Sequence, residues 1–148
     1  MTTEELLERV PQAEPFRFID EILDVDDEHI SAAVRFQEDA DFYRGHFPGN
    51  PITPGVILVE AMAQAGVVAH GIYLLAAQAR GGDGANLLTL FTDAEVEFDG
   101  VVKPGERVLI EGRKVFFRHR KLKSEVEMRR EDGHVVCRAT LSGMGVPR

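Results

Sequence analysis

Arg44-Gly45-His46-Phe47-Pro48-Gly49-Asn50-Pro51-Ile52-Thr53-Pro54-Gly55-Val56-Ile57-Leu58-Val59-Glu60-Ala61-Met62-Ala63-Gln64 is the stretch around which the chain is organised, and it reads as a rigid loop feeding a buried helix. Prolines at 48, 51 and 54 fix φ at every third residue, while Gly45, Gly49 and Gly55 supply the permissive or uncrowded positions between them. Such a loop holds His46 in one place. Thr53 is a good N-cap and Pro54 suits the first helical position, which puts Gly55 at the second, and no breaker follows Val56 until Gly66. The Gly55 N–H then lacks an intrahelical partner and points out of the positive end of the helix, where a carbonyl oxygen gaining negative charge is stabilised. With no Cβ, Gly55 lets that ligand come close.

Glu60 is the anomaly of the helix, since Ile57, Leu58, Val59, Ala61, Met62 and Ala63 leave it no obvious wet face. A carboxyl group desolvated in this way resists ionising, which moves it toward donating a proton near neutrality. Gln64 lies one turn later on the same face, placed to orient Glu60. One imidazole, one shielded carboxyl and one amide make an acid-base site. A turn histidine and an edge glutamate are the plainer readings of each residue alone, and it is their combination in this setting that favours catalysis.

These residues carry a family resemblance. Gly45-His46-Phe47-Pro48-Gly49-x-Pro51-x-x-Pro54-Gly55-Val56, followed by Glu60-Ala61-x-Ala63-Gln64, resembles the 3-hydroxyacyl-acyl-carrier-protein dehydratases of fatty-acid synthesis, the FabZ type, which have the hotdog fold. In that family the His and the acidic residue fourteen positions later act together, and here they fall on His46 and Glu60. A Glu rather than an Asp at the acidic position points to the dehydratase-only branch and away from the dehydratase-isomerases. Pro15-Phe16, Asp20 and Val102-x-Pro104-Gly105-Glu106 extend the resemblance over most of the chain. Two departures stand out: Val10-Pro11-Gln12-Ala13-Glu14-Pro15-Phe16 replaces the usual Leu-Pro-His-Arg-x-Pro-Phe, and Arg17 and Glu21 replace the more usual residues nearby. Acyl chain length and the pathway served, housekeeping or specialised, are open at this point.

Composition bounds the rest. At 148 residues, with 44% hydrophobic and 28% charged, the chain fits one globular domain spanning 1–148. Its 25 acidic against 17 basic residues give a net charge of -8, which argues against general nucleic-acid binding. Cys137 is the only cysteine, so no intrachain disulfide forms, and it reads as a small core residue. The acidic N-terminus shows no signal peptide, and a cytoplasmic location is expected. Val56 to Ala77 is long enough to span a bilayer, but Glu60, Gln64 and His70 within it argue for a helix enclosed by protein and no membrane span.

Along the chain, residues 3–9 form a short helix with Leu6 and Leu7 on one side, and Pro15-Phe16 opens a first strand reaching about Val25, with Phe16, Phe18 and Ile22 inward. Ile30, Ala32, Val34 and Phe36 alternate as a half-buried strand, and residues 39–43 make a helical turn before the His46 loop. The long helix runs to about Gln78. Residues 80–86, with Gly81, Gly82 and Gly84, read as a loop that is either a plain connection, the simpler reading, or a gate over a substrate channel. Four strands follow: Leu88, Leu90, Thr92, Ala94, Val96 and Phe98 alternate; Lys103-Pro104-Gly105-Glu106 turns into Val108 to Arg118; Leu122, Ser124, Val126 and Met128 alternate. Asp132-Gly133 marks a two-residue hairpin before Val135, Cys137, Ala139 and Leu141. Together these patterns predict an α+β hotdog fold, a curved antiparallel sheet of about six strands wrapped around one long central helix.

The resemblance implies loss of water from a 3-hydroxyacyl thioester on acyl carrier protein to give the trans-2-enoyl thioester. His46 is assigned as the base for the C2 proton and Glu60, directly or through water held with Gln64, as the acid for the leaving hydroxyl. Gly55 N–H is assigned to the thioester oxygen, and Phe47 and Val56 to the acyl passage. No metal or other cofactor is expected. The partners are acyl carrier protein with its phosphopantetheine-linked substrate, and further copies of this chain as a homodimer or a trimer of dimers, each site drawing His and acid from different subunits. Unpaired sheet edges argue for such pairing physically. Arg113, Lys114, Arg118, Arg120, Lys121 and Lys123 form a basic cluster that would steer the acidic carrier, or simply a solvated strand pair. Two rivals are a hotdog thioesterase, which has no need of an imidazole at C2, and a non-catalytic acyl-binding or scaffold subunit.

Overall fold

The structure is a computed structural model that describes residues 1–79 and 87–148. The 80–86 loop and its gating role lie outside the described residues. Helix α1 (Thr3–Arg9) begins with a full capping box, in which Thr2 and Glu5 satisfy each other's backbone N–H groups. Strands β1 (Glu21–Val25) and β2 (His29–Arg35) lead through a 3-10 turn (Asp41–Arg44) to α2 (Gly55–Ala63). A π-helical segment (Gln64–Ala69) joins α2 to α3 (His70–Ala79), so one rod carries the chain past the whole sheet. Strands β3 (Leu87–Phe98), β4 (Arg107–Arg118), β5 (Lys121–Arg130) and β6 (Val135–Pro147) complete a six-stranded antiparallel sheet of order β1-β2-β4-β5-β6-β3.

The helix meets the sheet at its middle. Ile30, Gly112, Val126 and Ala139 lie in register across β2, β4, β5 and β6, and directly opposed residues of antiparallel strands share a face. A methyl group on Gly66 would sit 2.6 Å from Val126 Cγ2, and one on Gly112 would sit 3.0 Å from the Gly66 Cα. Two glycines therefore let the helix backbone touch the sheet. Ser124, fully buried, donates its hydroxyl to the Gly66 carbonyl (2.9 Å) at the same point. The segment Gly55–Gln78 has the length and apolarity of a membrane span, but 67% of its most apolar window is buried, which makes it the core helix of the sheet.

Several expectations change in detail. The first strand starts at Glu21 rather than near Pro15, and Phe16 is 49% exposed, because residues 16–18 bond to the helix instead of to a strand. Ile22 is inward as expected, joined by Ile19. A bulge between Phe91 and Asp93 reverses the parity of β3: Thr89 and Phe91 oppose Gly145 and Gly143, while Ala94, Val96 and Phe98 oppose Leu141, Ala139 and Cys137. Leu88 and Leu90 thus fall on the opposite face from Val96, and Leu90 is 55% exposed. The β5–β6 loop has four residues, 131–134, rather than two: Arg130 N donates to His134 O (2.9 Å) and Gly133 has a φ of 90°. The two-residue turn is instead His119-Arg120 between β4 and β5, both with positive φ, where no glycine signals it.

Candidate active site

His46 is fixed by the loop's own backbone. Its N–H donates to Phe42 O (3.1 Å), its carbonyl accepts from Ile52 N (2.9 Å), and its ring Nδ1 lies 2.9 Å from Ile52 O. A carbonyl oxygen only accepts, so Nδ1 carries the proton and Nε2 keeps its lone pair. The Phe47 ring stacks on the imidazole, with centroids 4.1 Å apart. This geometry presents one nitrogen as a base.

Thr53 does not cap the helix. Its hydroxyl is buried and hydrogen-bonded to Tyr43 OH (2.6 Å), so Pro54 takes the N-cap position and Gly55 becomes the first helical residue rather than the second. The Pro54 carbonyl accepts from Ile57 (2.9 Å) and Leu58 (3.2 Å), and no described hydrogen bond uses Gly55 N–H. That donor is left at the positive end of the helix. A Cβ on Gly55 would lie 2.9 Å from the Phe98 ring, so the aromatic packs where the side chain is missing.

Glu60 is partly buried on α2, and burial raises its pKa above the ordinary 4.5, offset only in part by its hydrogen bond from Gln64. Gln64 is completely buried and fully engaged: Nε2 donates to Glu60 Oε1 (3.0 Å) and to Phe16 O (2.7 Å), and Oε1 accepts from Phe18 N (2.9 Å). Both amide hydrogens are used. The expected bond from Gln64 to Glu60 is present, and Gln64 in addition ties the 16–18 segment to the helix, leaving Glu60 Oε2 as the carboxyl oxygen without a described partner.

Glu60 faces a cavity of about 190 Å³ whose other walls include Ala63, Val67, Val68, Phe91 and Gln12. His46, Phe47, Gly55 and Val56 do not line it, and among the described residues no hydrogen bond joins His46 to Glu60. Phe47 and Val56 are 50% and 75% exposed. Within one chain, His46 and Glu60 therefore sit in separate surroundings. A larger concavity of about 760 Å³ lies over β3 to β6, among Glu95, Glu97, Glu111, Glu125 and Glu127. Glu111, Glu125 and Glu127 are answered by Ser31, Arg113 and Arg138, and such ionic walls do not suit an acyl chain.

The basic cluster does not form one patch. Lys114 opposes Ser124 on the helix side and pairs with Glu28 (3.3 Å), Arg113 pairs with Glu125, and Lys121 with Asp93 (3.7 Å). Arg118 lies over the Phe116 ring (4.5 Å). Gln12 is the site residue that sequence reasoning missed: its departure from the family pattern marked the position, but only the fold shows that it shares a cavity with Glu60.

A six-stranded antiparallel sheet wrapped around one long helix defines the hotdog fold. The fold is shared with the dehydratase heterocomplex ApeI:P from Xenorhabdus doucetiae (TM-score 0.78, 17% identity, 100% of this chain and 93% of that one). It is also shared with a thioesterase from Haemophilus influenzae (TM-score 0.70, 17% identity, 99% and 92%). Residues 10–140 match the model of the FabA-like domain. A 3-hydroxyacyl-[acyl-carrier-protein] dehydratase FabZ from Yersinia enterocolitica is 38% identical over 93% of this chain and 79% of its own length, and one from Yersinia pestis is 38% identical over 93% and 76%. The chain belongs to the FabZ-type dehydratase family.

Proposed function

We propose that the chain dehydrates a 3-hydroxyacyl thioester carried on acyl carrier protein to the trans-2-enoyl thioester, in fatty-acid or related lipid or polyketide synthesis, in the cytoplasm. The observation that carries this reading is the opposed chemistry of the two half-sites: an imidazole whose Nε2 is held as an acceptor, and a carboxyl whose burial favours its protonated form. His46 Nε2 takes the C2 proton, the electron pair forms the C2–C3 double bond, and the C3–O bond breaks as Glu60 delivers its proton to the departing hydroxyl, releasing water. Charge building on the thioester oxygen is met by Gly55 N–H. Gln64 has spent both amide hydrogens and cannot donate to a bridging water, and Glu60 Oε2 is the oxygen from which the proton passes.

The two half-sites meet in a homodimer. β3 is a twelve-residue edge strand, and its exposed Leu90, Phe91 and Phe98 favour burial against a second copy. Pairing of this kind would complete the site with His46 of the partner subunit. Phe47 and Val56 then border the acyl passage, and Arg118, Arg120 and Lys123 receive the carrier protein. Incubation with a 3-hydroxybutanoyl thioester tests the reaction: enoyl thioester should accumulate, and release of free thiol without alkene would establish a thioesterase in its place.

A further inference from the structure

Gln12 has one unusual property beside its position. Its side-chain Oε1 is buried and accepts no hydrogen bond among the described residues, although the side chain walls the same cavity as the Glu60 carboxyl. A buried carbonyl without a donor is costly and uncommon in a native protein. The usual reasons for tolerating it are structural necessity or a ligand. Besides Gln12 and Glu60 the cavity is walled by Ala63, Val67, Val68, Thr89, Leu90, Phe91 and Gly143, among which Thr89 is the one polar side chain, and no described hydrogen bond joins it to Gln12.

The segment bearing Gln12 is held in place from both ends. Arg17 donates Nε to Gln12 O (2.9 Å) and Nη2 to Val10 O (2.7 Å), which closes residues 10–17 into a braced loop. Gln64 then bonds Phe16 and Phe18 to the helix one turn from Glu60. Glu60 and Gln12 are thus connected through Gln64, the 16–18 backbone and Arg17 by hydrogen bonds.

We propose that Gln12 is the specificity residue that recognises the substrate's 3-hydroxyl group, accepting its hydrogen while Glu60 protonates its oxygen. The assignment rests on the dehydratase reading given above and adds to it. The hydroxyl supplies the donor that Oε1 lacks, and the same acceptor then holds the departing water. A saturated or enoyl chain offers no such donor, so Gln12 distinguishes the 3-hydroxyacyl substrate from other acyl thioesters of equal length.

The test is binding to full-length protein in a His46→Ala background, which prevents turnover, with butanoyl and 3-hydroxybutanoyl pantetheine thioesters as probes. Adding Gln12→Leu should weaken the hydroxylated probe by about 5- to 100-fold and leave the saturated probe within about twofold. In the otherwise intact enzyme the same substitution should lower kcat/KM for dehydration by a similar factor, with partial recovery in Gln12→His, which keeps a hydrogen-bonding atom. Equal loss for both probes, or no loss for either, overturns the assignment. Should Gln12→Leu fail to fold, the single His46→Ala variant still decides: equal affinity for the two probes refutes a dedicated hydroxyl acceptor. If the wild-type protein forms no alkene from 3-hydroxybutanoyl thioester, the dehydratase reading itself fails; alkene formation with no selective loss at Gln12 removes only this inference.

Discussion

Replacing Glu60 with Gln removes a titrating proton and almost nothing else. The amide matches the carboxyl in shape, and its oxygen can still accept from Gln64 Nε2, now 3.0 Å from Glu60 Oε1, so the bonds of Gln64 to Phe16 and Phe18 remain. The loss of turnover then measures proton donation alone: about 10²- to 10⁴-fold in kcat, or about 3–5 kcal/mol of barrier. Stability should move the other way. Burial raises the Glu60 pKa above its ordinary 4.5, so the folded chain holds a proton that the unfolded chain has released, and the associated stability is present below about pH 4.5 and lost as pH rises through the folded value. Glu60→Gln escapes that loss and should be the more stable protein at pH 7, by an increment that shrinks on acidification. Enoyl formation from 3-hydroxybutanoyl thioester and urea unfolding at about pH 7 and pH 4 provide the two readouts. Full turnover in the variant, or lower stability at neutral pH, would refute the assignment of Glu60 as a shielded acid.

His46→Ala should abolish dehydration, by at least about 10²-fold, with circular dichroism and sedimentation unchanged, since the ring's described hydrogen bond reaches only Ile52 O; measurable wild-type turnover would remove His46 as the base. Gly66→Ala gains about 1 kcal/mol of helix propensity but drives a methyl to 2.6 Å from Val126 Cγ2, an overpacking cost of about 1–3 kcal/mol. A double-mutant cycle with Val126→Ala should show the two changes compensating by about 1 kcal/mol or more, and strict additivity in urea unfolding would contradict the contact. His70 is buried, donates Nε2 to Asp26 O (2.9 Å) and leaves Nδ1 unpartnered, and burial lowers its pKa below 6.5. The unfolded chain therefore binds the extra proton first, and stability falls as pH drops below about 6.5, against an opposite contribution from His29, whose pKa is raised mainly by its hydrogen bond to Asp26. His70→Asn should flatten the acid-side loss in a pH series of unfolding midpoints, and an unchanged profile would assign the loss to other groups.

The strands and the central helix were legible in the sequence because their signals are local. Alternation along Ile30 to Phe36 and Leu122 to Met128, and an unbroken apolar run after Val56, need no knowledge of partners. What escaped depended on cross-chain register. The parity reversal in β3 comes from a bulge facing β6, and nothing between Leu88 and Phe98 announces it. His119 and Arg120 adopt a turn that glycine or asparagine usually marks, imposed by the pairing of Arg118 with Lys121. Thr53 looked like a cap until Tyr43, ten residues earlier, took its hydroxyl. In the candidate site, His46, Gly55 and Glu60 are read from neighbours in sequence, whereas the place of Gln12 beside the Glu60 cavity becomes visible only when residues 10–18 are laid against the helix.

Gln64 shows why the fold and the site are a single problem. A carboxyl that can donate a proton near neutrality has to be kept from water, which disfavours folding, and the amide one turn away limits that penalty by bonding Glu60 Oε1 alone. The same amide fixes Phe16 and Phe18, so the segment that leads back to Gln12 is anchored by the side chain that bonds the carboxyl. A glutamine that held only the acid would leave the 10–18 segment to find its own place, and one that held only the segment would leave Glu60 to turn toward solvent. Doing both with three hydrogen bonds couples the placement of the carboxyl to that of the 16–18 segment, and a proton delivered to a defined hydroxyl requires its donor to be held in this way.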